Sequence, residues 1–263
     1  MALTEYQKER YSRHIKLKKI GNAGQEKLLS SRVLVIGAGG LGAPALMYLA
    51  AAGVGTLGIV DYDVVELSNL QRQVIHGTPD LGVPKAESAA SFVRRLNPDV
   101  RVVLHQKYIT AKNIGDMIEN YDFVLDAVDN FSAKFLINDA CVLAGKPFCH
   151  AGVLGFHGQI MTYVPGQGPC YRCVFEEIPS AGEVDDCSKT GVLGVIPGIL
   201  GSLQALEAQK YLTGCGDLLT GKILTFDGLT MQFRTIEIPE SSGHCRVCGD
   251  VADIIELKEE NYR

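Results

Sequence analysis

Residues 32–61, RVLVIGAGGLGAPALMYLAAAGVGTLGIVD, constrain the fold more than any other stretch of the chain. An aliphatic run meets Gly37-Ala38-Gly39-Gly40-Leu41-Gly42, which spells G-x-G-x-x-G, and a small-residue helix then leads to a second aliphatic run ending at Asp61. Strand, glycine turn, helix and strand form the unit from which parallel sheets are wound, because parallel neighbours need a crossover between them. Glycines let the backbone approach a phosphate, and the helix N-terminus supplies N–H donors and positive potential. Asp61 is placed to accept hydrogen bonds from a ribose.

The alternation continues. VPKAESAASFVRRLN reads as a helix, VRVVLHQ as a strand, AKNIGDMIENY as a helix and DFVLDAVDN as a buried strand with a polar end. SAKFLINDACVLAG is the next helix and KPFCHAGV the next strand. Beyond about residue 152 the pattern changes. FHGQIMTYVPG and KILTFDGLTMQFRTIEIP alternate apolar and polar residues, with a hairpin signal at Asp227-Gly228. Between them VIPGILGSLQALEAQKYLTG is a helix closed by Gly214. At the start, Thr4 and Gln7 fit a capping box for a helix running to about Ile15, and AGQEKLLSS is a second helix.

The expected class is therefore α/β: a Rossmann-like, mainly parallel sheet in the N-terminal part, continued by antiparallel strands. One domain over residues 1–263 would divide into N-terminal helices (1–30), a nucleotide-binding half (31–152), an antiparallel extension (153–249) and a tail (250–263). EEIPSAGEVDDCSKTG reads as a mobile loop. With 46% apolar residues in 263, a full core is available. A net charge of −5 with no Lys/Arg-rich run argues against nucleic acid as a partner. No uninterrupted apolar run is long enough to span a bilayer, and the charged N-terminus lacks an apolar signal core, so a cytoplasmic protein with no membrane partner is expected.

The residues after Asp61 decide which nucleotide fits. ELSNLQRQ brings Ser68, Asn69, Arg72 and Gln73 together, and Lys85 opens the next helix. A dinucleotide's two phosphates are largely satisfied by the glycine loop and the helix terminus. A triphosphate carries most charge on the groups that leave as pyrophosphate, and cations there stabilise the leaving group. Arg72 and Lys85 suit that task. Asp129, at the carboxyl edge of the sheet, can hold Mg²⁺, and Asn130 beside it can cap the following helix.

The cysteines give a second signal. Cys170-Tyr171-Arg172-Cys173 and Cys245-Arg246-Val247-Cys248 are C-x-x-C pairs, each able to grip a metal from a tight turn. Four thiolates make a closed structural zinc site. Cys141 and Cys149 read as small core residues, Cys215 has no evident role, and Cys187 sits in a polar loop beside Lys189.

The stretches RYSRHI, VIGAGGLGAPALMYLAAAGVG, SNLQRQ, PKAESA, DAVDN, PCYRC, CSKTGVLG and CRVCG occur in the order found in the ThiF/MoeB adenylyltransferases, bacterial relatives of the ubiquitin-activating enzymes, which the chain resembles to about Gly249. The resemblance implies an enzyme that uses MgATP to adenylate the C-terminal glycine of a ubiquitin-like sulfur carrier ending in Gly-Gly. It carries ATP or metal contacts onto Gly40, Asp61, Ser68, Asn69, Arg72, Lys85, Asp129 and Asn130. It also implies a homodimer in which Arg13 reaches the neighbouring subunit's phosphates, and a loop cysteine, here Cys187, that links covalently to the carrier in some members. The pathway is thiamine or molybdenum-cofactor synthesis, with RYSRHI, APALMYLA and LQALEAQKYL leaning to the thiamine member. Sulfur is expected from a separate donor, a cysteine desulfurase or rhodanese. Two other readings stand beside this one. An NAD-dependent oxidoreductase would use the same glycine loop but leaves Arg72, Lys85 and the cysteine pairs without a task. A non-catalytic activating-enzyme subunit would not need the full set of nucleotide residues.

Overall fold

A computed structural model describes residues 2–180, 190–239 and 243–262. Eight strands form one sheet in the order β3-β2-β1-β4-β5-β6-β7-β8. β1 (Arg32–Ile36), β2 (Thr56–Val60), β3 (Arg101–His105), β4 (Phe123–Asp126) and β5 (Phe148–Leu154) run parallel. β6 (His157–Tyr163), β7 (Lys222–Asp227) and β8 (Gln232–Glu237) continue the sheet antiparallel. The change of direction falls at Gly155-Phe156, where a tight turn replaces the helical crossovers used upstream.

The parallel strands are apolar along their length because both faces are covered. In β1, Val33 and Val35 face a core shared with α3 (Gly21–Ser30), α4 (Gly42–Ala51), α5 (Lys85–Leu96) and α9 (Val195–Thr213). Leu34 and Ile36 face the other core, shared with α6 (Ile114–Glu119), α7 (Phe131–Leu143) and α8 (Tyr171–Phe175). One strand thus serves two layers through its two-residue period. Gly214, in the left-handed conformation at φ 71°, ends α9 as its sequence position indicates.

The N-terminal segment departs from expectation. The capping box at Thr4 and Gln7 forms, but the helix breaks into α1 (Glu5–Arg10) and α2 (Ser12–Ile15). Tyr11 between them is buried, and its hydroxyl accepts from Asn97 Nδ2 at 2.9 Å. Its ring fills the space beside Gly53, where a Cβ would lie 2.5 Å from ring atoms. That long-range anchor takes Tyr11 out of helical geometry.

Candidate functional site

The strand register builds the site. Ile36 pairs with Val60 on one side and Asp126 on the other, so β1, β2 and β4 end level with one another. The segments that follow them open together onto a cleft of about 900 Å³. This is the carboxyl edge of a parallel sheet beside its topological switch point, where α/β folds place ligands.

The glycine loop is fixed by contacts that a side chain would break. Gly37 has φ +99°, and a Cβ on it would lie 2.6 Å from the Ala127 carbonyl oxygen. A Cβ on Gly42 would lie 1.9 Å from the Gly37 carbonyl oxygen, so Gly42 permits the tight return into α4. Gly37 and Gly39–Gly40 line the cleft, and α4 starts with no side-chain cap on its N-terminus. That end can receive an anion.

Asp61 holds the loop as well as facing the cleft. Its Oδ2 accepts from Ala38 N–H at 2.8 Å and its Oδ1 from Asp63 N–H at 2.9 Å. Burial pushes its carboxyl above the ordinary range, against the pull of those hydrogen bonds and of Lys85. A carboxylate has lone pairs to spare for ribose hydroxyls after two such bonds. His76, which sequence reasoning missed, holds the loop from behind. Its Nε2 meets Ala38 O at 3.0 Å and its Nδ1 meets the Ser88 hydroxyl at 2.8 Å. A carbonyl only accepts, so Nε2 donates, and burial lowers the imidazole pKa to keep it neutral.

Arg72, Gln73, Lys85, Asp129 and Asn130 line the same cleft. Lys85 is buried, with Nζ 2.9 Å from Asp63 Oδ2. Arg72 Nη1 donates to Ser68 O at 2.9 Å, which sets the side chain over Gly40. Asp129 is exposed at the cleft, a hard oxygen donor that fits magnesium. Asn130 Oδ1 accepts from Ala133 N–H at 2.9 Å and so caps α7. Gln73 Oε1 is buried with no partner among the described residues, and the Gln73 amide faces Gly39. Such an orphan acceptor fits a bound donor.

Three expected residues stand elsewhere. Ser68 and Asn69 lie in the short 3-10 turn Leu67–Asn69, where Asn69 Oδ1 accepts from Glu66 N–H at 3.2 Å. Neither lines the cleft, and their visible task is to shape the turn that aims Arg72. Arg13 lies exposed on α2, outside the cleft. Cys187 falls within residues 181–189, outside the described residues.

The cleft floor holds a buried charged group whose partners the sequence did not announce. Asp126, 1% exposed, ends β4. Lys134 Nζ lies 3.3 Å from its Oδ2, and His150 Nδ1, on the neighbouring strand, 2.7 Å from the same oxygen. Burial works to raise the Asp126 carboxyl, but Lys134 and His150 together hold it below the usual range. Burial and the Lys134 charge push His150 down to about 4, against the pull of Asp126. The sequence hints are the polar end of DFVLDAVDN, which places Asp126 with Asp129 at the carboxyl edge of the sheet, and a histidine inside the apolar strand PFCHAGV.

The four cysteines of the two C-x-x-C pairs meet beneath this floor, with their sulfurs all within 4.8 Å of one another. Cys170 Sγ lies 3.8 Å from Cys173 Sγ, 3.6 Å from Cys245 Sγ and 3.5 Å from Cys248 Sγ, and Cys173 Sγ lies 3.4 Å from Cys248 Sγ. A tetrahedron with metal–sulfur bonds of about 2.3 Å has edges of about 3.8 Å, so the donor set fits one zinc ion. The first pair was expected on a tight turn; instead Cys170 caps α8 and Cys173 lies within it. Between them Arg172 clamps Asp139 of α7 through Nε (2.7 Å) and Nη2 (2.9 Å). Tyr262, near the end of the tail, donates to Asp139 Oδ2 at 3.0 Å. The tail, which carries no readable signal in the sequence, is thus a strap across the cysteine lobe.

The sequence model of the ThiF family matches residues 11–247. The SAMP-activating enzyme E1 of Haloferax volcanii is 51% identical over 250 residues, covering 95% of this chain and 92% of that one. The adenylyltransferase and sulfurtransferase MOCS3 of Sus scrofa is 47% identical over 258 residues, 98% of this chain but 57% of that one, so the chain spans little more than half of that relative. The probable adenylyltransferase/sulfurtransferase MoeZ of Mycobacterium tuberculosis is 46% identical, with coverage of 96% and 68%. Among solved structures, E. coli MccB superposes with a TM-score of 0.82 over 95% of this chain and 75% of that one, at 23% identity, a likeness of fold alone. The glycine loop, the cations beside it and the paired cysteines thus stand in a setting already known: the chain belongs to the ThiF family.

Proposed function

We propose that this chain adenylates the C-terminal glycine of a ubiquitin-like sulfur carrier, using MgATP and releasing pyrophosphate. The observation that carries the reading is one cleft lined by the glycine loop, Asp61, Arg72, Lys85 and Asp129, in a chain half identical to an enzyme named as SAMP-activating. The name of the Haloferax volcanii relative favours a carrier of the SAMP class over the thiamine lean of three short sequence stretches. The NAD reading loses ground because Arg72, Lys85 and Asp129 share the cleft with the glycines. A non-catalytic subunit has no need of them.

The carrier's carboxylate oxygen forms a bond to the α-phosphorus of ATP as the bond to the bridging oxygen of pyrophosphate breaks. The attacking group is already ionised, so no base is required, and catalysis reduces to position and charge. The glycine loop and the α4 N-terminus receive phosphate oxygens, while Asp61 receives the ribose. Arg72 and Lys85 stabilise charge on the leaving pyrophosphate. Bound Mg²⁺, held by Asp129, supplies further positive charge at the phosphates. Gln73 faces the loop, Ser68 and Asn69 shape the turn behind Arg72, and Asn130 caps α7.

Zinc in the site of Cys170, Cys173, Cys245 and Cys248 is structural, with no open position for a substrate. A second copy of the chain supplies Arg13, which lies outside the cleft of its own chain. Sulfur comes from a separate donor, and Cys187, which lies outside the described residues, is the candidate thiol for a covalent link to the carrier. No helix among the described residues is long and apolar enough to cross a membrane.

Carrier-dependent ATP–pyrophosphate exchange tests the reading. The wild-type chain should exchange only with a Gly-Gly carrier present, and Arg72→Ala should lower the rate on the order of 10²–10³-fold. Near-normal exchange by the variant removes Arg72 from the mechanism. Absence of exchange with every such carrier removes the function.

A further inference from the structure

His150 stands on β5, 2% exposed, and lines the cleft. Its Nδ1 lies 2.7 Å from Asp126 Oδ2. A carboxylate only accepts, so Nδ1 carries the proton and Nε2 is left as an acceptor. That nitrogen is buried and has no hydrogen-bond partner among the described residues. An orphaned buried acceptor is costly, and in native proteins a ligand or water commonly answers it.

The surroundings say what kind of group answers this one. Lys134 donates to both Asp126 oxygens and to Ala151 O, so its own donors are committed. The Tyr171 ring packs 4.5 Å from the imidazole, closing one side. With a pKa near 4 the ring takes up no proton at neutral pH, which leaves it a hydrogen-bond acceptor and a poor base. Toward the antiparallel strands lies Gly152, where a Cβ would stand 3.7 Å from Nε2 and 3.8 Å from Gln159. Nε2 is closed to solvent, and with no side chain at position 152 no methyl group adds to what an incoming donor must displace on that side. β5 is two strands from β1, about 10 Å at the usual spacing. Phosphates on the glycine loop leave this ground to the acyl partner. A Gly-Gly end has no side chains to clash there and offers peptide N–H donors.

We propose that His150 Nε2 accepts a hydrogen bond from a peptide N–H of the carrier's terminal Gly-Gly, which makes His150 a positioning residue for the reacting carboxylate. The proposal rests on the adenylation reading. Asp126 sets the tautomer, Lys134 fixes Asp126, and Gly152 adds no side chain to what the tail must displace to reach the ring.

The test pairs a change in the enzyme with a change in the substrate. In His150→Asn the amide stands near the former Nδ1, so it can keep the bond to Asp126 while Nε2 is gone. In the carrier, the last two peptide links are replaced in turn by esters, each removing one N–H without adding bulk. ATP–pyrophosphate exchange is read at varied carrier and at varied ATP. With the wild-type enzyme, one ester should raise KM for the carrier about threefold to tenfold, the worth of one hydrogen bond. His150→Asn should raise it similarly with the natural carrier and show no further penalty with that ester, while KM for ATP stays put. Gly152→Ala, which sets a methyl group over Nε2, should act in the same direction as His150→Asn. Wild-type enzyme indifferent to both esters, or an ester penalty undiminished in His150→Asn, overturns the proposal while leaving adenylation intact. Absence of carrier-dependent exchange in the wild type overturns adenylation itself.

Discussion

At Asp126 a lysine and a neutral histidine meet one buried carboxylate, and this has a cost that pH exposes. The unfolded His150 imidazole binds a proton below about 6.5, whereas the folded one stays neutral until about 4. Within that window the unfolded chain holds more protons, so stability climbs as pH rises from about 4 to 6.5 and is complete above it. The span corresponds to stabilisation on the order of 3 kcal/mol. His76, lowered by burial, adds in the same direction. Denaturant unfolding at a series of pH values should show this slope, and His150→Asn should flatten it. A flat wild-type profile rules it out. The glycines, Asp61, Arg72, Lys85 and Asp129 are legible in the sequence because the pattern G-x-G-x-x-G and its downstream acid are local. His150 is not, because a histidine in an apolar strand reads as a core residue. Its partner lies across the β4–β5 register, with α7 between them in the chain.

Elements were legible where their signals were short-range. Each parallel strand announced itself as an aliphatic run, and Gly214 marked the end of α9. The break at Tyr11 was hidden because its causes, Asn97 and the space beside Gly53, are distant in sequence. α8 was hidden because it is five residues long and owes its place to the cysteines and to the Arg172–Asp139 clamp. That dependence gives a prediction. Metal analysis should find about one zinc per chain. Chelation, or Cys245→Ser, should lower the melting temperature on the order of 10 °C by releasing α8 from the segment that carries Cys245 and Cys248. A chelated protein that melts as before removes the structural role. Tyr262→Phe, losing one hydrogen bond to the buried Asp139 carboxylate, should cost about 2 kcal/mol.

At the scale of the whole molecule, the sequence foretold a sheet that changes from parallel to antiparallel after about residue 152, and the turn at Gly155-Phe156 makes that change. The strand order, with β1 between β2 and β4, was not spelled out, since it depends on which helices cross which face. Arg13 also belongs at this scale. If each active site joins one chain's cleft to its neighbour's Arg13, two inactive variants should rescue each other. Mixing equal amounts of Arg13→Ala and Asp129→Ala chains after subunit exchange places one intact site in each mixed dimer. Random pairing then restores about a quarter of wild-type activity. No recovery beyond the two separate variants argues for sites built within one chain.

The cysteine cluster has two faces of unequal access. Cys170 and Cys245 are buried, whereas Cys173 and Cys248 are half-buried. On the adenylation reading, the carrier's separate sulfur donor brings persulfides and thiols close, soft nucleophiles that would compete for a metal held by these cysteines. Such an attacker would meet Cys173 and Cys248 first, since Cys170 and Cys245 are buried. A zinc ion held there would be lost in steps, with two of its four thiolate ligands shielded from the reagents that the proposed chemistry brings close.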